Sequence, residues 1–175
     1  GFMFCANQLV TVLRNAVVDA GFLWRLVTSW HKKNPVPKIR VVTFQSSVES
    51  AGKCIRGKRG VIFNSKNGGL CHNHFEFPLP AQNERVHPTQ KPLGLIVKLI
   101  QHCSNPGDTV ADCFSGSGVV ARACRLTGRR FVGGDLSEKW ARHTLWQANR
   151  IAPEENPDHM PLFAGTGFQL LELQE

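Results

Sequence analysis

Residues 107–135, GDTVADCFSGSGVVARACRLTGRRFVGGD, constrain the fold more than any other stretch of the chain. A short apolar strand at Thr109, Val110 and Ala111 runs into an acid, Asp112. A small-residue turn follows, Phe114 to Gly118, and then a helix-like run from Val119 to Thr127 that Gly128 closes. A second strand, Arg130 to Gly133, leads to another acid, Asp135. Strand, glycine turn, helix, strand and a carboxylate about 20 residues on is the βαβ arrangement that binds nucleotides. Gly116 and Gly118 allow a tight turn and a close ligand, and the first helical turn offers N–H groups to it. Asp135 suits a ribose diol.

The glycine pattern alone also satisfies the form used for nicotinamide dinucleotides, so Asp112 is the discriminating residue. A carboxylate at the end of the first strand repels a pyrophosphate bound just beyond it. It suits a cation, such as the ammonium group of a methionine moiety. The residues therefore favour S-adenosylmethionine over a dinucleotide.

The remainder of the chain is read around this unit. Residues 1–5 form an apolar strand with no lead-in, which suggests a core strand continuing something upstream. Leu9, Val12, Leu13, Ala16 and Val17 recur at helical spacing, with Asn7 as N-cap and Gly21 as C-cap. Residues 22–30 alternate as a strand. His31 to Arg40 reads as a basic, proline-interrupted loop. Residues 41–86 show only short β-like pieces (VVTF, GVIFN, FEFPL) between glycine and basic clusters. Lys53, Arg56, Lys58 and Arg59, interleaved with Phe63, Phe75 and Phe77, make that segment the candidate for nucleic-acid contacts. A helix follows from about Leu93 to Cys103, with Leu95, Ile96, Leu99 and Ile100 inward. Another spans residues 137–150, with Ser137 as N-cap and Ala141, Leu145 and Ala148 on one face. The tail from Ile151 is rich in proline and acid and reads as an extended strap or disordered.

Charge supports a polyanionic partner: 21 Lys and Arg against 13 Asp and Glu give a net charge of +8. No apolar run is long enough to span a membrane. The 6 cysteines contain no C-x-x-C pair, and Cys71, His72 and His74 are the only metal-like grouping in sequence, so no metal site is expected. Unpaired cysteines in apolar runs suit a reducing, intracellular setting.

HPTQKP at residues 87–92, then GDTVADCFSGSG, then GRRFVGGDLSEKW resembles the amino-methyltransferases of DNA. The order is that of the circularly permuted class, whose catalytic half precedes its cofactor half. The resemblance covers about residues 1–150. Relatives carry Pro where this chain has Cys113, often Thr where it has Val119, and usually Glu where it has Asp135, with an aromatic five residues on that corresponds to Trp140. The resemblance implies a three-layer α/β, Rossmann-like methyltransferase fold, with a mostly parallel sheet and helices on both faces. It implies four regions. Residues 1–40 belong to the catalytic half, 41–86 to an irregular target-recognition-like insertion, 87–150 to the S-adenosylmethionine-binding half, and 151–175 to a C-terminal tail.

It also implies roles. Asp112 pairs with the cofactor amino group, while Phe114, Gly116, Ser117 and Gly118 shape its pocket. Asp135 holds the ribose, and Thr89 and Lys91 lie on the side of the methionine carboxylate. The partner is double-stranded DNA, in the cytoplasm of a prokaryote or in phage, within restriction-modification. The family's catalytic tetrapeptide, an Asp, Asn or Ser followed by two prolines and an aromatic, is absent: the sequence contains no Pro-Pro dipeptide. No catalytic residue is therefore assigned. The function implied is methyl transfer to the exocyclic amine of adenine (N6) or cytosine (N4). A non-catalytic or decayed nucleic-acid-binding module and an RNA methyltransferase are the alternatives.

Overall fold

A computed structural model describes residues 1–37, 44–57, 61–65, 70–83, 85–149 and the backbone of 169–170. The chain divides into two compact units. Gly1–Val61 with Ser65–Leu79 form the first, and Ile62–Asn64 with Pro80–Glu175 form the second. Among the described residues no helix is long and apolar enough to cross a membrane.

The first unit holds a sheet of β1 (Phe2–Cys5), β2 (Leu23–Lys32), β3 (Val48–Ile55) and β4 (His74–Phe77), in the order β1-β3-β2-β4. β3 runs antiparallel to both neighbours, whereas β4 is parallel to β2. β1 is thus an edge of the described sheet, and its residues are half-buried or exposed rather than core. β2 extends through His31 and Lys32, two residues into the expected loop. β3 was unforeseen, because VESAGKCI lies in the segment read as irregular and has a glycine at its centre. Glycine weakens a strand unless something must come close. Here Trp24 comes close: a Cβ on Gly52 would lie 2.2 Å from the indole ring. The β-like reading of GVIFN fails, since residues 61–65 form no strand. VVTF falls mostly outside the described residues, as do Lys38–Arg40, Lys58, Arg59 and the tail apart from 169–170.

α1 (Val10–Asp19) is preceded by a 3-10 turn, Asn7–Leu9. Asn7 does not cap it; its side chain accepts a hydrogen bond from Ser50 Oγ at 2.8 Å. Only Val17 is fully buried, while Leu9 and Val12 are exposed. The buried stripe is narrower than the apolar pattern, running through Val10, Leu13 and Val17. The expected Gly21 stop is present, with Gly21 at φ 81 and its N–H donating to Val18 O.

The second unit contains a parallel sheet of β5 (Thr109–Asp112), β6 (Arg130–Gly133) and β7 (Gln169–Leu170), with α2 (Leu93–Cys103), α3 (Val119–Leu126) and α4 (Glu138–Asn149). α2 buries Leu95, Ile96, Leu99 and Ile100, the four positions its periodicity selects. α4 buries Ala148 as expected, but with Thr144 and Gln147 beside it; Ala141 is half-buried and Leu145 is exposed.

Asn64 clasps the C-terminal end of α2, where helix carbonyls lack intrahelical donors. Its Nδ2 donates to Gln101 O at 3.0 Å and Ser104 O at 2.9 Å. Buried Arg129 completes the same corner, donating from Nη2 to Ser104 O at 2.7 Å and from Nε to Ser104 Oγ at 3.2 Å.

Because Gly52 makes room for Trp24, Gly52→Ala should destabilise the chain by about 1–3 kcal/mol through overpacking. In a Trp24→Leu background the same substitution should cost less than half as much, read as a coupling energy in urea melts.

Candidate functional site

The second unit gathers its acidic and glycine-rich residues at the carboxyl ends of β5 and β6. These strands are parallel and in register, with Asp112 opposite Gly133. Gly133 has no room for a side chain, since a Cβ would lie 2.5 Å from Asp112 O. Beyond the strand ends the two chain segments bond to each other. Gly134 N–H donates to Asp112 O at 3.1 Å, and Ser115 N–H donates to Gly134 O at 3.0 Å.

Asp135 then ties the arrangement together. One carboxylate oxygen accepts from Gly116 N–H at 2.9 Å, and the other from Ser137 N–H at 3.0 Å. Asp112 accepts from Phe114 N–H at 3.1 Å. The turn's amides at 114, 115, 116 and 118 are therefore engaged within the protein, the last donating to Ser115 O at 2.7 Å. The glycine turn ahead of α3 is thus held by its own amides, and the expectation about N–H groups concerned the first turn of α3, from Val119 onward. Two carboxylates border the glycine turn.

The electrostatics follow. Burial raises the Asp112 pKa above its ordinary value of 3.8, and the nearby charge of Asp135 pushes the same way, while the Phe114 N–H opposes both. Such a site disfavours anions and gains from an arriving cation.

Packing fixes the turn from behind. Ser115 and Ser117 are buried, and Thr144 Oγ1 on α4 donates to Ser115 Oγ at 3.0 Å. Gly118 has φ 69, and a Cβ there would lie 2.8 Å from Thr144 Cα and 2.9 Å from Gln147 Cβ. That contact explains why α4 turns Thr144 and Gln147 inward. Phe114 is 85% exposed, so it is not a core residue.

The HPTQKP segment lies against this turn through His87, whose Nε2 would be 3.8 Å from a Cβ on Gly116. His87 Nδ1 accepts from Thr89 N–H at 3.3 Å and lies 3.1 Å from Thr89 Oγ1. Lys91 Nζ donates to Thr89 O at 3.1 Å. Thr89 does not cap α2, whose N-cap is Pro92. His87 also meets Trp140 edge to face, with centroids 4.5 Å apart. Neither residue was among the sequence-based candidates, although both stood in motifs that carried the resemblance.

Other expectations fare differently. Phe75 is buried and so is not part of the anticipated nucleic-acid face, whereas Phe63 stacks on His102 and stays half exposed. Lys53 lies 5.9 Å from the Phe2 ring centroid, and Arg56 5.7 Å from that of Phe22. Burial pushes the Cys124 thiol up to about 12, which leaves it inert as a nucleophile. His74 converges with His31 and Glu76 rather than with Cys71 and His72.

A parallel sheet carrying a glycine turn and acids at its carboxyl ends defines a Rossmann-like, nucleotide-binding class of site. A family model described as DNA methylase, for N6 and N4 methyltransferases, matches residues 2–145. The chain belongs to that family. It is 32% identical over 108 residues to the type II methyltransferase M1.MboII of Moraxella bovis, covering 54% of this chain and 42% of that protein. It is 27% identical over 143 residues to the type II methyltransferase M.HinfI of Haemophilus influenzae, covering 73% of this chain and 40% of that one. The chain thus spans about two fifths of the length of these relatives. The solved structure of an M1.HpyAVI–SAM complex superposes with a TM-score of 0.77 at 27% identity, covering 85% of this chain and 74% of that one.

Two substitutions probe the site. Gly118→Ala meets both a left-handed backbone and the α4 contact, so it should cost about 2–4 kcal/mol in urea melts. Asp112→Asn should raise the melting temperature at neutral pH. With a raised folded pKa, the stability linked to the neutral Asp112 is fully present below 3.8 and is lost as pH rises through the folded value. The advantage of Asn over Asp should therefore shrink as pH falls through the raised folded value and be smallest below the ordinary Asp value of 3.8.

Proposed function

We propose that this chain is the cofactor-binding part of an S-adenosylmethionine-dependent DNA methyltransferase acting on the exocyclic amine of adenine (N6) or cytosine (N4). The observation that carries the reading is Asp112, a half-buried carboxylate at the carboxyl end of β5, beside a turn whose amides at 114, 115, 116 and 118 are engaged within the protein. Such a site fits a ligand with a cationic amino group and an adenosine better than a dinucleotide. S-adenosylmethionine supplies an activated methyl group on a sulfonium.

Each residue has a task in this scheme. Asp112 accepts hydrogen bonds from the ammonium group of the methionine portion. Gly116, Ser117 and Gly118 keep the wall close to the ligand, and exposed Phe114 covers part of it. Asp135 orients the ribose while holding the turn through Gly116. Thr89 and Lys91 act on the side of the methionine carboxylate, placed by His87. No metal or covalent protein intermediate is required for an amine to attack a methyl group in line, so positioning contributes much of the acceleration. Base extrusion from a duplex would bring the amine to the cofactor.

The division of labour along the chain follows the same reading. Residues 1–40 belong with the catalytic half and 87–150 with the cofactor half. The parts of 41–86 outside β3 and β4 are placed in target recognition, and 151–175 in a tail. Double-stranded DNA is the partner, matching the net charge of +8. A second reading, a nucleic-acid-binding module without catalysis of its own, is favoured by the absence of any Pro-Pro dipeptide in the sequence.

Calorimetric titration with S-adenosylmethionine tests the assignment. The chain should bind one equivalent, and Asp112→Ala should weaken binding roughly 10- to 100-fold, the worth of a charge-assisted hydrogen bond. A folded chain that ignores the cofactor, or an Asp112→Ala variant with unchanged affinity, would remove the assignment. Transfer of labelled methyl to duplex DNA by this chain alone should stay near background. Transfer at an ordinary turnover rate would show that the missing tetrapeptide is dispensable.

A further inference from the structure

β2 and β4 pair in parallel, with Ser29 opposite His74, Trp30 opposite Phe75 and His31 opposite Glu76. Side chains alternate across a strand, so these rungs separate into two faces. Trp30 and Phe75 are buried on one face. His31, His74 and Glu76 share the other, where they are half-buried or exposed.

On that face the polar atoms converge. His31 Nδ1 lies 3.4 Å from Glu76 Oε1, and His74 Nε2 lies 3.7 Å from the same oxygen. One ligand atom from each of the three residues falls within 4.8 Å of the other two. Donor atoms bound tetrahedrally to zinc at about 2.0–2.1 Å sit roughly 3.3 Å apart, so small rotamer adjustments suffice to close on an ion. The imidazole rings lie side by side, 6.2 Å between centroids and 22° from parallel.

We propose that His31, His74 and Glu76 form a binding site for a divalent transition-metal ion, zinc in the first instance, which clips β4 to β2. The donor set of two imidazoles and one carboxylate is borderline in softness and suits zinc, cobalt or nickel better than magnesium or calcium. A second observation favours it. His74 Nδ1 lies 3.0 Å from Ser29 Oγ. A hydrogen bond at one ring nitrogen leaves the other, here Nε2, free to face the ion, and ligating histidines are commonly oriented this way. Ser29 is then a positioning residue. Lys33 Nζ, 3.8 Å from Glu76 Oε2, approaches the other carboxylate oxygen and leaves Oε1 to the histidines. The site is independent of the methyltransferase reading, since it lies in the first unit and uses none of the residues assigned to the cofactor.

The test uses the whole 175-residue chain after treatment with a chelator, titrated with Zn²⁺ by calorimetry and with Co²⁺ by absorption. One ion per chain should bind, with visible Co²⁺ bands and no thiolate charge-transfer band. His74→Gln and Glu76→Gln should each weaken binding by at least about tenfold, and Ser29→Ala by roughly tenfold with its circular dichroism unchanged. Zn²⁺ should raise the melting temperature of the parent chain but not of Glu76→Gln. Cys71→Ser combined with His72→Gln should bind as the parent does. Absence of saturable binding by the folded parent would overturn the site. So would wild-type affinity in Glu76→Gln, a thiolate band, or loss of binding in the Cys71 and His72 variant.

Discussion

The second unit depends on one carboxylate used twice. Asp135 accepts from the N–H of Gly116 and from the N–H of Ser137, one to each oxygen. Gly116 lies in the turn after β5, and Ser137 precedes α4. A single side chain therefore joins the end of one strand to the glycine turn of its neighbour and to the start of the next helix. Remove the carboxylate and a part-buried amide loses its partner, at a cost of about 1–3 kcal/mol for such a group. The short side chain of Asp135 keeps its oxygens close to the backbone where both bonds form.

Electrostatics then narrow the ligand. A helix N-terminus after a glycine turn ordinarily attracts anions. Here the turn amides at 114 and 116 are already bonded to Asp112 and Asp135. Two carboxylates therefore border the turn, and two unit charges of the same sign 4 Å apart repel by about 4 kcal/mol at an effective dielectric of 20. A phosphate placed beside them would meet that repulsion, which is the ground on which the proposed reading prefers a cationic ligand.

The βαβ unit and α2 were legible in the sequence because their signals are local. Strand ends, the glycine turn, the Gly128 stop and the buried positions of α2 all follow from short-range pattern. The misses arise from contacts between residues far apart in sequence. Gly52 reads as a break in a strand until Trp24 is placed over it. Leu145 reads as the inward residue of α4 until Gly118 draws Thr144 and Gln147 inward. Of the site, the acids and glycines stood in the motif, whereas the His87–Trp140 ring contact joins two motifs that no periodicity links. The engagement of the turn amides was invisible too, since it depends on where the two carboxylates point.

Asp112 shows what the arrangement asks of the fold. Its carboxyl is half-buried, faces a second acid and is pushed toward its neutral form, with only the Phe114 N–H favouring the charge. A residue chosen for stability alone at this position would be uncharged. The surrounding chain tolerates the charge because the flanking elements are over-determined. Parallel ladder bonds hold β5 to β6, the Asp135 bonds hold the turn, and Gly118 locks it against α4. Strain of this kind gathers at functional sites because a ligand relieves it. A cation beside Asp112 would lower the energy of the carboxylate that burial raises, which is the physical ground for giving this acid the ammonium group in the proposed reading.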